Sequence, residues 1–438
     1  MRGNVFSLQV RIVMSILIKG GRILDPSQQL DRVMDLLLVD GKVSQIEESI
    51  DTDADRVVDA CGMYVMPGLI DMHVHLREPG FEHKETIHTG GMAAARGGFT
   101  TICPMPNTKP ATDNPERVSF VVQKAAEEAP VHVLPVGAVT LGQQGEELTD
   151  IAGMAAAGAI AISEDGKSVM NAALYREAMK RAAEKDVLVM AHCEDKNLVG
   201  RGALNAGKIA EENGVEGISN AVEDVITARD ILLAKETGAR LHLCHCSTKD
   251  SARMVKEAKE EGLTVTGEVC PHHFALTEED IVPGDTNFKM NPPLRRQEDR
   301  QALKEGLRDG IFDVIATDHA PHHVDEKKKP MAEAPFGIVG SETAVALTIT
   351  CLVEEGYLTP YQMAEKMSTN PARILKLDRG SLKVGKAADV TLIDPEAEYV
   401  IDASLFASKG KNTPFHGRKV KGKVKMTIVD GTIVYEEK

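Results

Sequence analysis

The sequence predicts a (β/α)8 TIM-like barrel that carries a small β-sandwich domain formed by both chain termini. Eight apolar, β-branched runs alternate with helical patterns through the middle of the 438-residue chain, and each run ends in polar residues. Eight strand-then-helix units in about 300 residues indicate a closed parallel barrel. No GxGxxG turn follows the first run, which disfavours the alternative of a doubly wound open sheet.

The two ends of the chain are rich in short strands, and the turns Asp40-Gly41 and Asp430-Gly431 indicate β-hairpins. We therefore expect one small β domain from residues 14–67 plus 378–438, with the barrel over 68–377 and residues 1–13 as an extension. The predicted barrel strands occupy residues 68–75, 98–107, 132–140, 159–166, 187–194, 240–247, 264–273 and 312–322.

Composition excludes several classes of partner. The net charge of −15 disfavours binding to nucleic acid or to an anionic membrane, since both need a positive surface. No apolar run reaches the roughly 18–20 residues of a membrane span. An odd number of cysteines, seven, without a compact disulfide framework favours a reducing cytoplasm.

The first predicted barrel strand ends in Asp71-Met72-His73-Val74-His75. Residues two apart in a strand point to the same face, so His73 and His75 project together toward the barrel axis. In such barrels the functional groups lie at the carboxyl ends of the strands. The two histidines are therefore candidate ligands of one metal ion.

Other barrel strands end in the same residue types. His192 ends the fifth strand and Asp318 the eighth, while Glu164 and Asp165 end the fourth. On the sixth strand His245 lies nearer the end than His242, which alternation places on the opposite face as a packing residue. Four imidazoles and two carboxylates suit zinc or a similar first-row metal, and six ligands are enough for two ions.

Longer segments around these residues resemble one known family. The histidines and aspartates follow the pattern of the amidohydrolase superfamily. DMHVHLREPG (71–80) and ATDHAPHHVDEK (316–327) look like the two signature segments of dihydroorotases. PMPNTKP (104–110) and APFGIVGSE (334–342) are similar to further segments of the longer bacterial type of the same family.

The resemblance implies an enzyme that interconverts N-carbamoyl-L-aspartate and (S)-dihydroorotate in de novo pyrimidine (UMP) biosynthesis. It assigns His73, His75 and Asp318 to one Zn2+ ion and His192 and His245 to a second, with the ions bridged by a hydroxide and by Asp165. Many relatives use a carboxylated lysine as the bridge, but the fourth strand offers no lysine before Lys167. Glu164 is the second choice for the bridge.

The same resemblance implies the substrate contacts and the catalytic group. Asp318 would act as general acid and base. Arg77 can offer a bidentate fork to the substrate carboxylate. The other expected contacts are Asn107, Asn291, His322 and the backbone of Phe336 and Gly337.

Two neighbouring features are interpreted as structural. His272 and His273 are adjacent in the seventh predicted strand, where alternation would keep them from sharing an ion. The charged run 325–329 is most simply a solvated loop, although loops at this face can close over a substrate.

Three alternatives remain open at this point. A related cyclic amidase, such as a hydantoinase, dihydropyrimidinase or allantoinase, would share the barrel and the metals. A non-catalytic subunit of aspartate transcarbamoylase would have lost metal ligands, and a metal-storage or sensing protein would not need Arg77. The family resemblance also implies a homodimer and allows aspartate transcarbamoylase as a partner.

Overall fold

The computed structural model describes residues 15–437, so the expected extension 1–13 lies outside the described residues. Its strands, numbered in chain order, are β1 (Ser15–Asp25), β2 (Leu30–Val39), β3 (Lys42–Glu47), β4 (Arg56–Asp59), β5 (Tyr64–Pro67), β6 (Leu69–Val74), β7 (Phe99–Pro104), β8 (His132–Val133), β9 (Val136–Ala138), β10 (Ala161–Ser163), β11 (Leu188–Ala191), β12 (Leu204–Asn205), β13 (Gly217–Ile218), β14 (Leu241–Leu243), β15 (Val265–Val269), β16 (Val314–Ile315), β17 (Val390–Val400), β18 (Lys419–Val429) and β19 (Thr432–Glu436).

The α-helices follow the barrel strands along the chain. They are α1 (Ile87–Arg96), α2 (Pro115–Glu128), α3 (Ile151–Ala156), α4 (Ala172–Glu184), α5 (Lys196–Val199), α6 (Lys208–Glu212), α7 (Ala221–Thr237), α8 (Lys249–Glu260), α9 (Pro271–Ala275), α10 (Gln297–Arg308), α11 (Val324–Lys327), α12 (Ala344–Thr348), α13 (Pro360–Ala364) and α14 (Asn370–Leu375). Between Ser15 and Glu437, no helix combines the length and the apolar character needed to cross a membrane.

Parallel strands close the predicted barrel. β6, β7 and β8 form one parallel sheet, and β9, β10, β11, β14, β15 and β16 form another. β8 and β9 are two halves of one strand, separated by Leu134 and Pro135. A parallel bridge between Val74 and His319 joins the first strand to the segment after the eighth. These eight strands confirm the predicted (β/α)8 barrel.

Strands from both chain ends share one further sheet, in the order β19-β18-β17-β5-β1-β2-β3, with β4 also paired to β1. β5 pairs with β1 from the amino-terminal part and with β17 from the carboxy-terminal part. Ile18 and Leu38 belong to the same buried cluster as Leu392 and Ile428, although their strands lie far apart in the sheet order. The sheet therefore folds over its own core, as the predicted β-sandwich requires.

Both predicted Asp-Gly hairpin turns are present, between β2 and β3 and between β18 and β19. Asp40 and Gly41 have φ values of 48° and 75°, and Asp430 and Gly431 have values of 45° and 76°. Two successive positive φ angles are the requirement of the type I′ turn, which explains the residue types. The two turns also meet, because Ala388 N–H donates to Gly41 and Gly431 N–H donates to Ala388.

A partly buried histidine links the barrel to the β domain. His132 of β8 places Nε2 3.2 Å from Asp430 and 3.8 Å from Asp389. Burial by itself lowers the pKa of His132, but the nearby carboxylates of Asp389 and Asp430 outweigh it and raise the pKa to about 9. The protonated imidazole thus joins the two parts of the chain through a charged contact.

This contact predicts a loss of stability in mild alkali. The folded pKa of His132 lies above the ordinary value near 6.5, so its contribution is complete below that pH and is lost as pH rises through about 9. We expect a contribution of about 2 kcal/mol. Urea-unfolding midpoints at pH 6.5 and 9 should differ more in the unsubstituted protein than in His132→Gln. Equal pH dependence in both would contradict the assignment.

Candidate active site and metal centre

The six predicted metal-binding side chains converge at the carboxyl ends of the barrel strands. His73 lies near the end of β6 and His75 directly follows that strand, with their rings 5.4 Å apart. The other four lie one to three residues beyond β10, β11, β14 and β16 and are Asp165, His192, His245 and Asp318. All six are buried. Alternation along strands and position at strand ends thus identified a set that is contiguous in space.

Four of these residues form one group. His73 Nε2 lies 3.2 Å from Asp165 Oδ1 and 3.5 Å from Asp318 Oδ1. His75 Nε2 lies 2.9 Å from Asp318 Oδ1 and 3.6 Å from Asp165 Oδ2. Two imidazole nitrogens therefore face the same two carboxylates, which is an arrangement suited to a divalent ion.

A second group shares Asp165 with the first. His192 Nδ1 and His245 Nε2 are 2.8 Å apart, and they lie 3.5 and 3.8 Å from Asp165 Oδ1. Asp165, His192 and His245 each offer a ligand atom within 4.8 Å of the others, as do His73, His75 and Asp165. Asp165 is the residue common to both groups, so its carboxylate has the position of a bridge.

Buried atoms in this cluster support the fit to metal ions. Among the described residues, His73 Nε2 and Asp165 Oδ1 are buried and have no hydrogen-bond partner. Leaving such atoms unpaired costs about 1–3 kcal/mol each. Bound cations would satisfy both atoms, and nitrogen and oxygen donors without thiolate suit catalytic zinc-like ions.

Neighbouring side chains orient the imidazoles. Glu268 accepts hydrogen bonds from His73 Nδ1 at 2.7 Å and from His242 Nε2 at 2.9 Å. Asn107 accepts from His75 Nδ1 at 2.9 Å, and its amide donates to Asp165 at 3.2 Å. A donor at Nδ1 leaves the lone pair at Nε2, the atom that faces the cluster.

The histidines also keep the two aspartates ionised. Burial by itself raises the pKa of Asp165 and of Asp318. For Asp165, the nearby imidazoles of His73, His192 and His245 outweigh burial and hold the pKa well below the usual range. His73 and His75 likewise lower the pKa of Asp318. Both carboxylates are therefore available as anionic ligands.

The backbone is strained at three site residues. Arg77, His245 and Asp318 have φ values of 63°, 33° and 48°. Non-glycine residues rarely adopt positive φ, and each instance costs of order 1–3 kcal/mol. The fold thus holds three site side chains in positions that the free chain would avoid.

A pocket opens over the cluster and contains all the predicted substrate-binding residues. It is lined by His75, Arg77, Asn107, Asp165, Gly166, His192, His245, Asn291, Asp318, Ala320, His322, Phe336 and Gly337. Arg77 is partly buried, and burial lowers the pKa of its guanidinium to about 10, which leaves it cationic at neutral pH. Within residues 15–437 it has no carboxylate within 4 Å. The pocket therefore contains a cation that no carboxylate contacts directly, with Asp165 and Asp318 farther away in the same pocket.

The remaining predicted contacts already have protein partners. Asn291 donates to Glu194, and His322 Nε2 donates to the Phe336 carbonyl at 2.8 Å. Gly337 N–H donates to the Lys289 carbonyl. A ligand would have to use the other amide atoms of Asn291 and the free lone pairs of the backbone carbonyls.

Two buried lysines support this edge of the pocket, and the sequence analysis missed both. Lys327 Nζ donates to the carbonyls of Lys289, Pro335 and Gly337 at 3.0–3.3 Å. Lys289 Nζ donates to the Met331 carbonyl and lies 4.5 Å from the Phe336 ring centre. The expectation of a solvated loop over 325–329 was wrong for Lys327, which lies on α11 and points into the protein.

Two further predictions concern histidines outside the six-residue cluster. His272 and His273 do not lie in a strand, because Pro271 begins the one-turn helix α9 after β15 ends at Val269. Their placement on opposite faces of a strand was therefore wrong. His242 does point away from the cluster, but it binds Glu268 rather than only packing.

The alternative bridge does not reach the cluster. Glu164 accepts hydrogen bonds from the N–H and hydroxyl of Thr140, which turns its carboxylate away from the histidines. Lys167 donates to the Gln143 carbonyl instead of entering the site. Asp165 is the acidic residue of this strand end that contacts both histidine groups.

The barrel, the split β domain and the histidine–aspartate cluster define a hydrolase of the amidohydrolase type. The solved L-hydantoinase (dihydropyrimidinase) from Arthrobacter aurescens matches with a TM-score of 0.86 and 27% identity, covering 96% of each chain. A family model described as dihydro-orotase-like matches residues 62–251.

Curated relatives show to which family of amidohydrolase-type enzymes the chain belongs. The dihydroorotase of Geotalea daltonii is 51% identical over 97% of this chain and 100% of its own length. That of Pelotomaculum thermopropionicum is 50% identical over 97% of this chain and 99% of its own. The chain belongs to the dihydroorotase family, whose members are hydrolases acting on cyclic amide bonds.

Proposed function

We propose that the protein interconverts N-carbamoyl-L-aspartate and (S)-dihydroorotate, as a step of pyrimidine biosynthesis, with two Zn2+ ions at the six-residue histidine–aspartate cluster. The observation that carries the proposal is the position of Arg77. A cation without a carboxylate partner among residues 15–437 lies beside the metal-binding cluster, so the pocket favours a substrate that brings its own carboxylate. Dihydroorotate has such a group next to its cyclic amide.

Different side chains of the site would bind the metal ions, transfer the proton and bind the substrate during hydrolysis. His73, His75, His192, His245, Asp165 and Asp318 would hold the two ions, which supply Lewis acidity that activates water and polarises the scissile carbonyl. Asp318 lies at the pocket wall and can take a proton from the attacking water and deliver it to the leaving nitrogen. Arg77 anchors the carboxylate, and Asn291 and His322 surround the ring. Cyclisation runs through the same steps in reverse.

The direct test is hydrolysis of dihydroorotate by the purified protein, with metal content determined on the same sample and a hydantoin assayed in parallel. We expect turnover of dihydroorotate and about two ions in the six-residue cluster. Turnover of the hydantoin alone would mean that the substrate is a neutral cyclic amide. Metal without any turnover would favour a non-catalytic subunit.

Arg77→Lys tests the binding role. A lysine keeps the charge but loses the bidentate fork, so we expect KM for dihydroorotate to rise about 10–100-fold with little change in kcat. Arg176→Lys, at an exposed ion pair with Glu236, is the matched control and should leave both constants unchanged. A fall confined to kcat would exclude the proposed role of Arg77.

The proposal extends to location and assembly. We infer that the protein works in the cytoplasm, since all seven cysteines are free. A homodimer, and a complex with aspartate transcarbamoylase, remain predictions from family resemblance. Size-exclusion chromatography with light scattering, with and without that transcarbamoylase, measures both.

A further inference from the structure

A second cluster of ligating side chains lies beyond the end of β15. Cys270 follows the strand, Pro271 begins α9, and His272 and His273 are consecutive residues of that single turn. Their rings are 4.2 Å apart and inclined by 57°. All three side chains are buried, and each offers a ligand atom within 4.8 Å of the other two.

Each histidine of this cluster has one buried ring nitrogen without a hydrogen-bond partner among the described residues. His273 Nε2 donates to the Pro292 carbonyl at 2.9 Å, which leaves the lone pair on Nδ1. Within the described part of the chain, that Nδ1 and His272 Nε2 are buried without any hydrogen-bond partner. Buried polar atoms are rarely left unpaired, so two such atoms beside one thiol require an explanation.

We propose that Cys270, His272 and His273 bind an additional divalent metal ion of the zinc type. One thiolate and two neutral imidazoles are a donor set that zinc prefers, and the thiol would release its proton on binding. Tetrahedral zinc places its ligand atoms about 3.3–3.8 Å apart, so ligand atoms that lie up to 4.8 Å apart would have to approach by up to about 1.5 Å on binding. Water would complete the coordination.

This site is separate from the six-residue centre because it shares no ligand with it. A third group, His73, Cys244 and Glu268, also lies within ligand distance, but His73 already belongs to the centre and its Nδ1 is bonded to Glu268. The role of the new site would be structural, because an ion there would stabilise a loop of the pocket. His273 holds Pro292, which follows the pocket residue Asn291, so a bound ion would fix the loop that presents Asn291.

Cobalt substitution tests the site with a signal that does not depend on turnover. The six-residue centre contains no cysteine, so a thiolate-to-Co2+ charge-transfer band in the near ultraviolet reports on a cysteine ligand alone. We expect this band in the Co2+-loaded protein, its loss in Cys270→Ser and its retention in Cys244→Ser. Zinc-loaded protein should contain three ions per chain, and Cys270→Ser should contain two.

Absence of the band in the Co2+-loaded unsubstituted protein would overturn the proposal, whatever the variants do. A band that disappears in Cys244→Ser but not in Cys270→Ser would place the ion on the other cysteine. Should Cys270→Ser fail to fold, His272→Gln replaces it, with the same loss expected. Failure here leaves dihydroorotate turnover unaffected, so it is distinguishable from failure of the proposed function.

Discussion

Asp318→Asn should lower kcat for dihydroorotate by about 10³-fold while KM changes only a few-fold. General acid–base groups contribute about 10²–10⁴-fold, and an amide cannot take up and return the proton. The amide oxygen can still occupy the position 2.9 Å from His75 Nε2, so metal binding should persist. Steady-state kinetics and metal content on the same preparation measure the two effects separately.

The metal content is the control for this substitution. A large loss of turnover with unchanged metal assigns the loss to proton transfer. A loss of metal in proportion to activity would instead make Asp318 chiefly a ligand. Turnover near that of the unsubstituted protein would remove Asp318 from the mechanism altogether.

Asp165→Ala should remove most of the metal and reduce turnover by at least about 10³-fold. Asp165 contacts both histidine groups, so its loss removes one of the two carboxylates that face His73 and His75, and the carboxylate that faces His192 and His245. Elemental analysis after dialysis, together with dihydroorotate hydrolysis, measures the outcome. We expect fewer than one ion in the six-residue centre.

The neighbouring carboxylate offers a matched control for the bridge. Glu164→Ala removes an acidic residue of the same strand end, but one whose carboxylate is bonded to Thr140. It should retain the metal and most of the turnover. If Glu164→Ala lost its metal and Asp165→Ala kept it, the bridge would have been assigned to the wrong residue.

The features that could be predicted from the sequence are those that depend on residues close together in the chain, such as the face of a strand and the type of a turn. The two-residue repeat of a strand selected His73 with His75 and put His242 on the other face. The Asp-Gly pairs predicted turns whose φ angles the structure confirms. The remaining candidate ligands were predicted from their positions at strand ends, because a parallel barrel brings the carboxyl ends of all its strands to one rim.

Interactions between distant segments had no such local signal. Glu268 and His73 are 195 positions apart, and a lone glutamate in an apolar strand does not indicate which imidazole it will orient. Lys327 belongs to a run of charged residues of the kind that is usually exposed to solvent. In the structure its ammonium group is buried, and it donates hydrogen bonds to three backbone carbonyls outside that run. Pro271 is the local signal for the helix that contains His272 and His273, because proline is common at the first position of a helix.

The sheet shared by the two chain ends has a consequence during synthesis on the ribosome. β5 ends at Pro67, but its partner β17 begins at Val390, about 320 residues later. At roughly 5–20 residues per second, β5 waits on the order of 15–65 s with one edge unpaired. Exposed strand edges can pair with other chains. Nascent chains stalled before Val390 should therefore aggregate through this edge, even when their barrel segment has already been made.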